Sequence, residues 1–464
     1  MNEAELLRAS AVDQARLIRE GALRSEDLVR LYLDRIARHD AELHAFVQVI
    51  GARALFSARR KDLERRLRGG RDLPPFHGVP IGIKDLNHAR GTFTRFGSRM
   101  FKYLWSPVDD ASTAQIRQGG FVILGKLSAS EFGALPVTEP DIHPPTRNPW
   151  DLGFTSGGSS GGSGAAVAAG LLPIAQGSDG AGSIRIPSAF CHLYGIKPSR
   201  GRVVDAYDSA ELPSLAIVGP MARSVDDAAA LLDVMAGVSS GRPSRAPRPE
   251  RPFAELARRR PSLLRVRYTV ESPLLEAHPD IAAATRDVAR RLADMGHQVE
   301  EGGPPQGTVE EFLPMWQFSL ARVPMAHDTL MQPVSSWLVR AGKTLRLEDV
   351  RRRHLELEER VNAWFGDVDL WVTPTVADVP ARIGAWRGLD PEATFRRAAR
   401  FGAFTAIFNV TGQPAASLPV GLTREGLPMG VQIAGRPLAD GVVLAVSRQL
   451  EAEMRWEERR SRFT

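Results

Sequence analysis

Between residues 76 and 237 of this 464-residue chain, short runs of strand character alternate with small-residue or amphipathic helical stretches, and that alternation restricts the fold more than any other feature. The strand-like runs are Val79–Ile83, Phe121–Leu124 and Leu172–Gln176. Such alternation predicts an α/β unit, in which chemistry collects where the strands end. Ahead of it, residues 4–38 read as two helices. The second opens at Ser25 as a predicted N-cap and places Leu28, Leu31, Tyr32 and Ile36 at helical spacing.

Residues 239–252, SSGRPSRAPRPERP, are rich in Pro, Arg and Ser and read as an exposed loop leaving the core. Beyond them, 281–295 and most of 310–365 have helical periodicity. Leu370–Val372 and Ala416–Val420 return to strand character, and an amphipathic helix is expected from Asp440 to about Met454. Residues 253–464 thus read as a helical region with closing strands, and no internal repeat is found.

Several function classes are disfavoured by composition. The formal net charge is +6, but all except six of the 60 basic residues are arginine, dispersed among acidic neighbours without clustering beside aromatic partners. No nucleic-acid surface is expected from that pattern. The apolar run 165–175 is too short for a membrane span and is broken by Gly170 and Pro173. The opening MNEAELLRAS has no basic and apolar regions of a signal peptide. Cys191 is the single cysteine, so no intrachain disulfide and no cysteine metal site is expected, and cytoplasmic residence is the simpler reading. The ten histidines are dispersed without ligand spacing, so metal catalysis is disfavoured.

The segment Thr155–Gly164, TSGGSSGGSG, is the densest glycine and serine stretch. As a phosphate loop it fails, because Gly164 is followed by Ala165-Ala166 where Lys-Ser/Thr is required. As a nucleophile elbow it fits G-x-S-x-G around Ser159 and Ser160, but the last histidine is His354, too early for that fold's base. A second serine, Ser183, follows in Gly177–Pro187 (GSDGAGSIRIP), and a lysine, Lys84, closes Gly78–Asp85 (GVPIGIKD). Singly, Lys84 reads as a solvated or paired lysine and Ser183 as a turn residue.

Those three motifs, in that order and spacing, resemble the amidase signature family. The resemblance extends to Gly219–Arg223, Thr373–Thr375, Asn409–Ala415 and Gly426–Gln432, and so over nearly all of residues 1–464 as one unit with its signature core at 76–237. Within the family, Gly177–Gly180 and His143–Trp150 are similar to bacterial amidases of the 6-aminohexanoate-cyclic-dimer hydrolase kind. The resemblance implies a mixed sheet with helices on both faces. It also implies hydrolysis of a small-molecule carboxamide or substituted amide through a serine acyl-enzyme that needs no metal or organic cofactor, with homodimerisation left open.

By the same resemblance Ser183 is the nucleophile, Ser159 relays its proton and Lys84 accepts it. Lysine serves as a base only when neutral, which burial promotes by penalising the ammonium form. If Val79–Ile83 is a strand, Gly82 and Lys84 share a face, Gly82 leaves room beside the lysine stem and Asp85 points away. The N–H groups of Gly180, Ala181, Gly182 and Ser183 are the expected oxyanion donors. Gly180 and Ala181 stand where the family more often has a β-branched residue and a glycine, and Ala181 tolerates positive φ less well. Asp179 and Arg185 are expected to brace the turn as a charge pair. Ser160 and Ser163 read as capping or loop hydrogen-bonding residues. Cys191, His192 and Lys197 read as scaffold, and Trp316, Trp337 and Trp386 as core rather than pocket, although the resemblance makes their region the variable one, where a substrate wall could lie. Two rivals keep the fold: a glutaminase-type subunit delivering ammonia to a partner chain, and a catalytically dead binding protein.

Overall fold

Apolar side chains at successive positions form strands that are apolar on both faces, and such strands need cover on both sides. Val79, Ile81 and Ile83 lie in one hydrophobic cluster with no exposed surface. Leu370 and Val372 belong to that same cluster, whereas Trp371 between them belongs to a second. The period-two alternation therefore places two separate cores on the two faces of one sheet.

The computed structural model describes residues 2–204, 214–237, 245–272, 274–323 and 328–464. Its strands are β1 (Phe46–Val49), β2 (Pro80–Lys84), β3 (Val122–Leu127), β4 (Ile174–Asp179), β5 (Tyr194–Lys197) and β6 (Ile217–Ala222), then β7 (Arg265–Tyr268), β8 (Gln298–Glu301), β9 (Leu370–Pro374), β10 (Ala415–Leu422) and β11 (Pro428–Gly435). Among the described residues they form one eleven-stranded sheet in the order β1-β3-β2-β4-β6-β5-β10-β11-β9-β7-β8. β2 runs parallel to β3 and β4, and β7 parallel to β8 and β9, while the remaining neighbours are antiparallel. The sheet is mixed, as expected.

Strands from both sides of residues 239–252 join this sheet. Of that segment, 239–244 lie outside the described residues, and 245–252 are irregular and mostly exposed. The first core packs the helices Ser25–Leu43, Gly161–Ala168, Val225–Met235 and Asp440–Met454 against one face. The second gathers Val309–Ala321, Pro333–Gly342, Leu347–Phe365 and Pro391–Phe401.

Two local expectations are corrected. The N-terminal region holds three helices, Glu3–Arg8, Ala11–Glu20 and Ser25–Leu43, because the Asn2 capping box supports one short helix and Ser10 starts the next. Ser25 is the first helical residue and not the cap: its hydroxyl donates to Gly78 O at 2.7 Å, and the Asp62 carboxylate takes the N–H groups of Ser25 and Glu26 at 2.7 and 3.0 Å. A carboxylate distant in sequence does the capping, which no local pattern reveals.

Candidate active site

β2 and β4 are adjacent and parallel, so their C-terminal ends open at the same edge. Lys84 is the last residue of β2, and Ser178 and Asp179 end β4. The glycine-rich segment before the helix Gly161–Ala168 lies between them, stitched to β4 by its serines. Ser160 Oγ, just before the helix, donates to Ser178 O at 3.1 Å, and Ser163 Oγ, in its first turn, donates to Gln176 O at 2.8 Å, so both serines bind the neighbouring strand and neither caps the helix. The Gly158–Ser159 peptide is cis.

Lys84 has no exposed surface. Its Nζ lies 2.7 Å from Ser159 Oγ, 3.0 Å from Ser178 O and 3.0 Å from Ser178 Oγ. Burial pushes the amine down from its ordinary value to about 7, against the smaller opposing pull of the Asp179 carboxylate. Asp85 turns the other way, into an ion pair with Lys126 at 3.1 Å. Gly82 does not make room for the lysine stem. A Cβ there would stand 2.5 Å from Leu127 Cδ1 and 2.7 Å from Leu172 Cδ1, so the glycine admits these core leucines.

Ser183 is 7 % exposed and lines a cleft. Its carbonyl accepts from Ser160 N–H at 3.2 Å, which ties its turn to the segment carrying Ser159. The structure thus joins Lys84 to Ser159 directly and brings Ser183 alongside, without a hydrogen bond between the two serine hydroxyls.

The turn is held by Asp179 and Arg185, both without exposed surface. The guanidinium grips the carboxylate at 2.9 Å through each of Nε and Nη2. Burial opposes ionisation of Asp179, but the Arg185 charge overrides it and holds the carboxyl below the usual carboxylate range. Asn409 Oδ1 and Gln432 Oε1 accept from the same guanidinium at 2.6 and 2.7 Å, and Asn409 Nδ2 donates to Asp179 O at 2.8 Å. Gln432 Nε2 donates in turn to Thr373 Oγ1 at 3.0 Å. Three motifs remote in sequence therefore converge on one bidentate pair behind Ser183.

The predicted oxyanion donors divide. Gly182 N–H already donates to Asp179 Oδ1 at 2.6 Å, so it is spent on bracing the turn. The N–H groups of Gly180, Ala181 and Ser183 have no protein acceptor among the described residues. Only Gly182 has positive φ in this turn, +126°, and a Cβ there would meet Thr405 Oγ1 at 2.4 Å. Ala181 sits at ordinary φ, with its carbonyl accepting from Thr405 Oγ1 at 2.6 Å, so alanine causes no backbone conflict.

Sequence reasoning missed Ser178, which gives Lys84 two of its three partners; its place at the end of β4 beside the Ser183 turn was the available signal. Trp316 belongs to the second core, as expected, and also walls the cleft. The indole lines the cleft with its ring edge against Gly180, where a Cβ would lie 2.8 Å from Cη2 and Cζ3. Trp337 packs on Phe395 and Trp386 on Phe401. Cys191 is buried, and burial alone raises its thiol above the ordinary value. His192 Nε2 lies 3.2 Å from Trp456 O, and Lys197 Nζ donates to Gln413 O at 2.5 Å, both scaffold contacts. Among the described residues no helix is long and apolar enough to cross a membrane, and no group of three or more His, Cys, Asp or Glu is placed to hold a metal ion.

The amidase family profile matches residues 27–444. The protein AmiB2 of Mycobacterium tuberculosis strain H37Rv is 38% identical over 474 residues, covering 99% of each chain. The 6-aminohexanoate-cyclic-dimer hydrolase of Pseudomonas sp. strain NK87 is 34% identical over 492 residues, covering 97% of this chain and 96% of the relative. A solved structure of 6-aminohexanoate cyclic dimer hydrolase matches with a TM-score of 0.90 at 31% identity, covering 98% of this chain and 99% of that one.

Proposed function

We propose, from the premise that this chain belongs to the amidase family, that it hydrolyses a carbon–nitrogen bond of a small-molecule amide through an acyl-enzyme on Ser183, with Lys84 as base and Ser159 as relay. One observation carries the assignment: a lysine amine with no exposed surface, lowered to about 7, lies 2.7 Å from a serine hydroxyl beside a second serine that lines a cleft.

The partners of Lys84 fit a neutral amine acting as a base. An uncharged amine has two N–H donors and one lone pair. The donors match Ser178 O and Ser178 Oγ, both at 3.0 Å, which leaves the lone pair for the Ser159 hydroxyl at 2.7 Å. Ser178 is thus a positioning residue that aims the base. Ser159 Oγ–H gives its proton to Nζ as it takes the proton of Ser183 Oγ, and Ser183 Oγ bonds to the amide carbon. This second transfer needs a closer approach of the two hydroxyls than the unliganded site has, the kind of tightening that substrate binding produces. The negative charge developing on the carbonyl oxygen is met by the free N–H groups of Gly180, Ala181 and Ser183. As the C–N bond breaks, the amine leaves with the proton returned from Lys84 through Ser159. Water then cleaves the ester under the same base and frees Ser183.

Cytoplasmic residence belongs to the same reading and is supported by the single, buried Cys191. The test of the function is trapping: with an anilide substrate and hydroxylamine, the acyl hydroxamate forms in wild type and is absent from Ser183→Ala. Equal hydroxamate yield from both proteins removes Ser183 as the nucleophile.

A further inference from the structure

The cleft that Ser183 lines is built almost entirely from apolar side chains. None of its lining residues carries a charge, and among the described residues its polar side-chain groups are the Ser183 and Thr308 hydroxyls and the indole Nε1 of Trp316, which is buried without a partner. Its walls include Leu135, Leu357, Phe395 and Ile407. The wall nearest the reactive turn is Trp316, seated against Gly180, and Phe312 stacks on that indole with centroids 5.8 Å apart.

Chemistry decides which part of an amide this space must hold. When Ser183 Oγ bonds to the carbonyl carbon and the C–N bond breaks, the amine departs with its added proton. The acyl group stays covalently fixed to Ser183 until water cleaves the ester, so it occupies the space onto which Ser183 opens. We propose that the substrates are amides whose acyl group is an uncharged, apolar chain or ring, selected by this cleft; the inference rests on Ser183 being the acylated residue. An acyl group bearing a carboxylate or an ammonium, the γ-glutamyl group of glutamine among them, would leave water and meet no opposite charge there, only a lone indole N–H or a hydroxyl.

The test is a series of p-nitroanilides from acetyl to octanoyl, with ω-carboxylate and ω-ammonium analogues of matched length. kcat/KM is expected to rise about fourfold per methylene until the cleft is filled, and the charged analogues to fall at least about a hundredfold below their uncharged counterparts. Ala399→Phe, which places a ring in the cleft, is expected to reduce the octanoyl-to-acetyl ratio by about tenfold. A flat chain-length series in wild type, or charged analogues turned over equally well, overturns the proposal whether or not the variant folds. Labelling by a methyl fluorophosphonate separates the two levels: Ser183 labelled with a flat series defeats the cleft assignment alone, whereas no label and no anilide hydrolysis defeats the amidase reading as well.

Discussion

Titrating the reaction tests the central physical claim, because in the proposed mechanism the state of one amine sets the rate. Lys84 falls from 10.5 to about 7; at about 1.36 kcal/mol per unit, burial favours the neutral amine by roughly 5 kcal/mol. The sign follows directly. The base is active when deprotonated, so activity is lost as pH falls through that value and is complete above it. With an uncharged anilide, kcat/KM is expected to change about tenfold per unit below pH 6, to stand near half its maximum at about pH 7 and to level off by about pH 8.5. Were the amine solvated at its ordinary value, fewer than roughly one molecule in three hundred would be competent at pH 8 and no plateau would appear below pH 10. The assay is initial-rate release of nitroaniline from pH 5.5 to 9.5 at constant ionic strength. A limb still climbing tenfold per unit beyond pH 9, or a profile flat from pH 5.5 upward, refutes the buried-base reasoning.

Further expectations bear on the residues around that amine. Ser183→Ala and Lys84→Ala each abolish turnover with retained folding, and Ser159→Ala leaves measurably more activity than either; a Lys84→Ala protein with wild-type rates eliminates the base. Ser178→Ala removes an acceptor that favours the ammonium form, so the acid limb moves to lower pH while the plateau drops about tenfold; an unchanged plateau shows that Ser178 does not aim the base. Arg185→Met strands the buried Asp179 carboxylate and is expected to cost about 3–5 kcal/mol in urea denaturation. Because the folded carboxyl lies below its unfolded value, near about 3.9, that stabilisation is present above the unfolded value and declines only as acid protonates Asp179. A loss under about 1 kcal/mol at pH 7 contradicts the bracing role.

Much of this protein was readable without coordinates. The runs at 79–83, 121–124 and 172–176 fall on β2, β3 and β4, and the helix predicted from Asp440 to about Met454 is found as Asp440–Met454. Lys84, Ser159 and Ser183 could be singled out as candidates because each lies in a local motif, and the fold brings the three together. The Asp179–Arg185 pair, six positions apart, was legible for the same reason.

What the linear chain left undecided is which groups meet. Gln432 and Asn409 reach Arg185 across 247 and 224 positions, and Ser178 reaches Lys84 across 94. The N–H of Gly182 looked equivalent to its neighbours until the folded turn aimed the Asp179 carboxylate at it. Trp316 became a cleft wall because Gly180 offers no Cβ to keep the indole away. Periodicity and turn chemistry follow from sterics among residues a few positions apart, so composition and order carry them. Hydrogen-bond partners, desolvation and the space left in a cleft depend on atoms brought together from distant segments, and only closure of the sheet and its two cores supplies those.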